Sequence, residues 1–117
     1  MTSKELLSTA VRLLDEKKAK DIVVLDVRDI TPLGDYFIIC SGTSNTQVKA
    51  LSDELEDKLS AQSVEPRRVE GKASSAWILM DYSDVIIHIF YHETRDFYCL
   101  ERLWGDAGKM DISELLK

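Results

Sequence analysis

Trp77-Ile78-Leu79-Met80-Asp81-Tyr82-Ser83-Asp84-Val85-Ile86-Ile87-His88-Ile89-Phe90 decides the fold. Two short apolar runs, rich in β-branched and aromatic residues, flank the tight Asp81-Tyr82-Ser83-Asp84 turn, and this pattern reads as a β-hairpin. Within its second strand, alternation sends Val85, Ile87 and Ile89 to one face of the sheet and Ile86, His88 and Phe90 to the other.

Working outward, the stretch from Val64 to Gly71 reads as an edge strand, because Pro66 cannot donate to a central ladder. Gly71 follows Glu70 and supports a special backbone turn. Earlier in the chain, Ile22-Val23-Val24-Leu25-Asp26-Val27 and Asp35-Tyr36-Phe37-Ile38-Ile39-Cys40-Ser41 are nearly continuous apolar runs, the signature of buried strands. The turn Thr31-Pro32-Leu33-Gly34 separates them. Thr2-x-x-Glu5 is a capping box ahead of a helix near residues 3–18, whose stripe is Leu6, Leu7, Ala10, Val11, Leu13 and Leu14. Ser44-x-x-Gln47 opens a second helix to about residue 61, with Val48, Leu51, Leu55 and Leu59 on one face. A last helix is expected near 94–104, with Phe97, Leu100 and Trp104 inward and Gly105 as its stop. The order α-β-β-α-β-β-β-α predicts a single α+β domain over residues 1–107, a five-stranded mixed sheet with helices packed on it. Residues 108–117 form a tail expected to dock weakly or fray.

Composition narrows the function classes. The chain has 15 basic and 21 acidic residues, a net charge of −6, which argues against wrapping bare nucleic acid and suits a basic protein partner. Residues 81–106 concentrate the acids: Asp81, Asp84, Glu93, Asp96, Glu101 and Asp106 against Arg95 and Arg102. A solvated acidic face explains such a run as well as a partner does. The N-terminus lacks the layout of a signal peptide, and no run reaches the roughly 18 apolar residues of a membrane span, so a cytoplasmic protein is expected. Cys40 and Cys99 lie in apolar segments and read as reduced, packed thiols.

Three patterns could carry catalysis. Gly42-Thr43-Ser44, between a strand and a helix, could hold phosphate on free amides, but it lacks the further glycines and lysine of a phosphate loop and reads as a turn and cap. Asp81 and Asp84 could share a divalent metal, yet they are three apart across a turn, so convergence is not assured. His88 and His92 have no recognisable nucleophile beside them, and His88 reads as a packed sheet residue. No catalytic residue, metal or cofactor is expected.

Several segments together resemble the ribosomal silencing factor (Iojap-type) family. They are Asp26-Val27-Arg28, the run from Asp35 to Ser44, Gln47-Val48, Glu70-Gly71, the run from Ala76 to Phe90, and Arg95-x-Phe97-Tyr98-x-Leu100-Glu101-x-Leu103-Trp104. The resemblance covers about residues 4–107. It implies a nucleotidyltransferase-like fold without catalysis and binding to the large ribosomal subunit through its fourteenth protein. It further implies steric exclusion of the small subunit, translational repression under nutrient limitation, and homodimers in many members. On that footing the expected partner-binding residues are Trp77, Asp81, Tyr82, Asp84, His88, Phe90 and Tyr98. The Ile86–His88–Phe90 face, or its edge near the turn, is expected to be partly exposed, with an acidic rim of Asp81, Asp84 and Glu101. Trp77 and Phe90 read equally well as core. Arg67 and Arg68 lie either near ribosomal RNA or a dimer partner, or on a solvated edge. The competing readings are a minimal metal-dependent nucleotidyltransferase using Asp81 and Asp84, and a dimeric adaptor for another basic protein.

Overall fold

Thr2 opens the chain's first helix: its Oγ1 accepts the Glu5 N–H at 3.1 Å, and α1 runs from Ser3–Glu16 with Leu6, Leu7, Ala10, Val11, Leu13 and Leu14 buried. The computed structural model describes residues 1–32, 34–93 and 108–116, the side chain of Lys109 excepted. After α1 come β1 (Lys20–Asp26) and β2 (Tyr36–Gly42), then α2 (Asn45–Ser60), capped by the Ser44 hydroxyl accepting the Gln47 N–H at 3.0 Å. Next follow β3 (Arg68–Glu70), β4 (Trp77–Asp81) and β5 (Val85–Tyr91). Near the C-terminus lie β6 (Gly108–Met110) and a short α3 (Ile112–Leu115). The helix expected near 94–104 lies outside the described residues.

The five expected strands form one mixed sheet, and β6 adds a sixth, in the order β3-β4-β5-β2-β1-β6. β2 pairs parallel to β5, with Phe37 opposite Ile86 and Ile39 opposite His88; the other neighbours are antiparallel. β3 takes the expected edge position, but regular pairing is confined to three residues and Pro66 lies outside it. Ser63 sits at φ 63° and the Val64 N–H turns back to the Leu59 carbonyl at 2.9 Å, so the chain is still leaving α2 where the sequence pattern predicts a strand. The tail adds β6 to the β1 edge, and the Leu115 carbonyl accepts from Ser8 Oγ at 2.8 Å and Arg12 Nε at 3.3 Å.

Both long helices cover the same face. Their stripes meet Val24, Ile38, Cys40, Ile78, Met80, Val85, Ile87 and Ile89 in one core, joined by Tyr36 and Tyr82. Cys40 is fully buried there, and Cys99 lies outside the described residues. The other face carries Leu25, Val27, Phe37, Ile39, Ile86 and Phe90, with Val23, Trp77 and Leu79 partly buried against them. The alternation read in β5 therefore holds, residue by residue. Among the described residues no helix is long and apolar enough to cross a membrane.

Candidate functional site

The second face gathers the residues singled out in the sequence. On β4, Trp77, Leu79 and Asp81 point to it. Register places Trp77 opposite Phe90, Leu79 opposite His88 and Asp81 opposite Ile86. Side chains one step along the diagonal can still touch across a sheet. Trp77 uses that diagonal: its indole Nε1–H donates to His88 Nδ1 at 3.1 Å. The indole also stacks on Phe90, with ring centroids 5.0 Å apart and planes inclined by 25°. Phe37, from β2, meets the imidazole edge-on at 5.1 Å. Four rings from three strands thus form one connected cluster.

Backbone anchoring reaches Trp77 from both sides. Gly71, at φ +91°, lets the chain pass so close that a Cβ there would lie 2.0 Å from the Trp77 carbonyl oxygen. Only glycine tolerates both the conformation and the approach. The Gly71 carbonyl accepts the Ser75 N–H at 3.0 Å, and Asn45 Nδ2 at the start of α2 donates to the Ser74 and Ser75 carbonyls. Lys72 spans Asp53 (2.9 Å) and Glu56 (3.0 Å) on α2, and these two carboxylates hold its ammonium pKa above the ordinary value. The loop that delivers Trp77 is therefore fastened to α2.

Across β4 and β5, exposure on this face is confined to its β4 side and the turn. Phe90 is fully buried and His88 is 5% exposed, whereas Trp77 and Leu79 remain half-buried. Alternation names the side of a sheet on which a residue lies, and not what covers it. Burial disfavours the imidazolium and pulls the His88 pKa down to about 4. Because Nδ1 accepts from the indole, the neutral ring carries its proton on Nε2. That atom is buried, with no hydrogen-bond partner among the described residues. Tyr82 departs from expectation in another way. It packs into the helix-side core, 7% exposed, and its buried hydroxyl likewise has no partner among the described residues. Desolvation, followed by the nearby carboxylates Glu56 and Glu65, holds its phenol above the usual value.

The two aspartates do not converge. Asp81 is nearly buried; its Oδ1 accepts the Ser83 N–H at 2.8 Å, and Arg68 Nε lies 3.6 Å from its Oδ2. Asp84 is exposed and accepts from Ser3 Oγ at 3.0 Å. Across the described residues no group of three or more His, Cys, Asp and Glu side chains comes together. The Gly42-Thr43-Ser44 junction is the turn and cap expected of it, with Gln47 Oε1 accepting the Thr43 N–H at 2.6 Å. Glu101 and Tyr98 lie outside the described residues, and His92 is exposed at the end of β5.

One cleft opens beside this cluster. It measures about 390 Å³ and is lined by apolar Pro32, Phe37, Leu79 and Ile86, and by Arg67, Arg68, Asp81 and His88. The Arg67 N–H donates to the Asp81 carbonyl at 2.7 Å, which fixes both arginines at the sheet edge. Arg68 reaches Glu70 at 3.5 Å as well as Asp81. The acidic rim expected from the sequence is therefore a mixed one, with Asp81 already facing a guanidinium. Leu79, Phe37 and Pro32 were not singled out in the sequence as site residues. β4 alternation could have found Leu79, since it shares the face of Trp77 and Asp81; Phe37 depends on parallel pairing that no local pattern reveals.

The fold and this face define a small α+β domain, a mixed sheet with helices, that presents aromatic and charged groups beside its β3 edge. Comparisons with known proteins place it further. The family model described as "Ribosomal silencing factor during starvation" matches residues 1–117. A ribosomal silencing factor from Halalkalibacterium halodurans is 39% identical over 116 residues, covering 99% of each chain. A crystal structure of a Chromobacterium violaceum protein superposes with a TM-score of 0.86 at 38% identity, covering 90% of this chain and 88% of that one. A mouse protein named for mitochondrial assembly of the ribosomal large subunit is 35% identical over 97 residues, 80% of this chain and 42% of its own length. The chain belongs to the ribosomal silencing factor family.

Proposed function

We propose that this protein docks on the large ribosomal subunit, through the subunit's fourteenth protein, on the face where the small subunit would sit. Its bulk then fills volume that the small subunit needs, and translation falls when nutrients are short. The observation that carries this reading is the family match over the whole chain, whose description couples ribosome silencing to starvation. The mouse relative's name points to the large subunit in particular. The docking surface is the second face at its β4 side: half-buried Trp77 and Leu79, the Asp81–Arg68 pair, Arg67, and exposed Asp84 beside the turn. His88 and Phe90 support that surface from below, Tyr82 braces the hairpin from the helix side, and Tyr98, which lies outside the described residues, is a further proposed contact. An aromatic anchor within a charged rim is the composition that protein interfaces favour. A minor contact to ribosomal RNA through Arg67 and Arg68, action in the cytoplasm and a homodimeric state belong to the same proposal.

The mechanism needs occupancy and no turnover. A contact of roughly 1,200–2,000 Å² would hold so small a chain on the subunit. The nucleotidyltransferase alternative finds less support, since Asp81 and Asp84 are held by different partners.

Sedimentation tests the reading. The protein should pellet with isolated large subunits and stay in solution with subunits stripped of their fourteenth protein. Trp77→Ala should weaken pelleting about tenfold or more, as loss of a central aromatic anchor does. A protein that pellets with neither particle, or that turns over a nucleotide with magnesium, would end it.

A further inference from the structure

We infer that His88 is a positioning residue for docking: without meeting the partner, it fixes the rotation of the Trp77 indole that does. This inference rests on the ribosome-docking reading above. A tryptophan side chain has two torsions to order and a single polar atom, Nε1. Here that atom is committed inward, to His88 Nδ1 at 3.1 Å. The ring plane is set by Phe90 stacked at 5.0 Å, and Phe37 holds the imidazole edge-on at 5.1 Å. Below the ring, the Trp77 backbone is clamped by the close passage of Gly71. One strand neighbour, Ala76, accepts the Tyr91 N–H at 2.9 Å. The indole thus has a hydrogen bond and a stacking partner before a docking partner arrives.

An anchor ordered in advance loses less freedom on binding, and the gain appears mainly as slower dissociation. His88 is 5% exposed, so a partner meets the indole and not the imidazole. Its burial also favours the neutral ring, the form in which Nδ1 can accept. Stacking on Phe90 sets the plane of the indole, and the acceptor at Nδ1 sets which edge of it faces inward.

The test compares substitutions in the full chain, reading dissociation from isolated large subunits and the indole N–H resonance of Trp77 in the unbound protein. His88→Leu keeps an apolar side chain of similar bulk and removes the acceptor. It should shift that resonance upfield and speed dissociation about five- to tenfold, the range that one such hydrogen bond accounts for. His88→Asn, whose oxygen reaches the place of Nδ1, should stay near wild type, while His88→Gln, whose oxygen reaches the place of Nε2, should resemble His88→Leu. In a Trp77→Phe background, which has no indole N–H, His88→Leu should add no further loss, because the two changes interrupt one interaction. Equal rates for His88→Leu and wild type would overturn the inference. So would an equal loss in the Trp77→Phe background. If His88→Leu does not fold, Asn and Gln variants of equal affinity would overturn it as well. Wild-type protein that fails to bind large subunits sinks the docking reading itself, whereas normal wild-type binding with an indifferent His88→Leu sinks this inference alone.

Discussion

The two faces of β4 and β5 are built from alternate residues of the same strands, yet they differ in kind. On the helix side, Ile78, Met80, Val85, Ile87 and Ile89 are apolar and fully buried, and only Tyr91 at the end of β5 is a ring. The opposite side interleaves Trp77, Leu79, Asp81, Ile86, His88 and Phe90, mixing rings, a carboxylate and a titratable group in one layer. Aliphatic side chains pack in any orientation that fills volume. Rings and polar atoms need particular geometry, and they supply it. One face therefore carries cohesion, and the other carries a shape that something else can read.

The largest expected effect separates the two faces by stability. Ile87→Ala, at the centre of the helix-side core, should cost about 3–4 kcal/mol in denaturant unfolding, from lost transfer energy and the cavity left behind. Leu79→Ala, half-buried on the opposite face, should cost about half as much. Equal losses would erase the distinction.

Next comes acid sensitivity, to which the second face contributes through His88. The folded chain holds His88 near pKa 4, below the ordinary 6.5, so the unfolded chain binds the extra proton between those values. Stability from this group is fully present above pH 6.5 and is lost as pH falls towards 4. The loss is at most about 3 kcal/mol. Replacing His88 by Asn should flatten that part of the stability–pH curve, measured by thermal or urea unfolding. An unchanged curve would mean that another group titrates there.

The smallest effect lies at the rim. Arg68 is 61% exposed where it meets Glu70 and Asp81. Its replacement by Ala should change stability by less than about 1 kcal/mol, because exposed pairs are screened by solvent. Binding to large subunits should fall clearly more than stability does. A fall in stability without one in binding would assign Arg68 to the fold alone.

Much of this architecture was legible in local pattern. The hairpin turn at Asp81–Asp84 and both helix caps follow from residue types at fixed spacing. β6 was not legible: Gly108-Lys109-Met110 carries no β-branched residue, and it becomes a strand because β1 offers it a ladder. The site divides the same way. Alternation alone assigns Ile86, His88 and Phe90 to one face. The bond from Trp77 to His88 depends on register, which places the two residues on a diagonal that no single strand discloses. Tyr82, expected at the partner surface, folds its ring into the helix-side core, a direction that residue type in a tight turn does not disclose.

The position of β6 bears on how the chain can be handled. Gly108, Lys109 and Met110 occupy the hydrogen-bonding groups along Asp26, Leu25 and Val24, and the following turn is tied to α1 through Ser8 and Arg12. Shortening the polypeptide before Gly108 would uncover a row of backbone amides and carbonyls next to apolar side chains, the arrangement through which sheets stick to one another. The last ten residues thus act as a selvedge, and a truncated protein should lose solubility before it loses its shape.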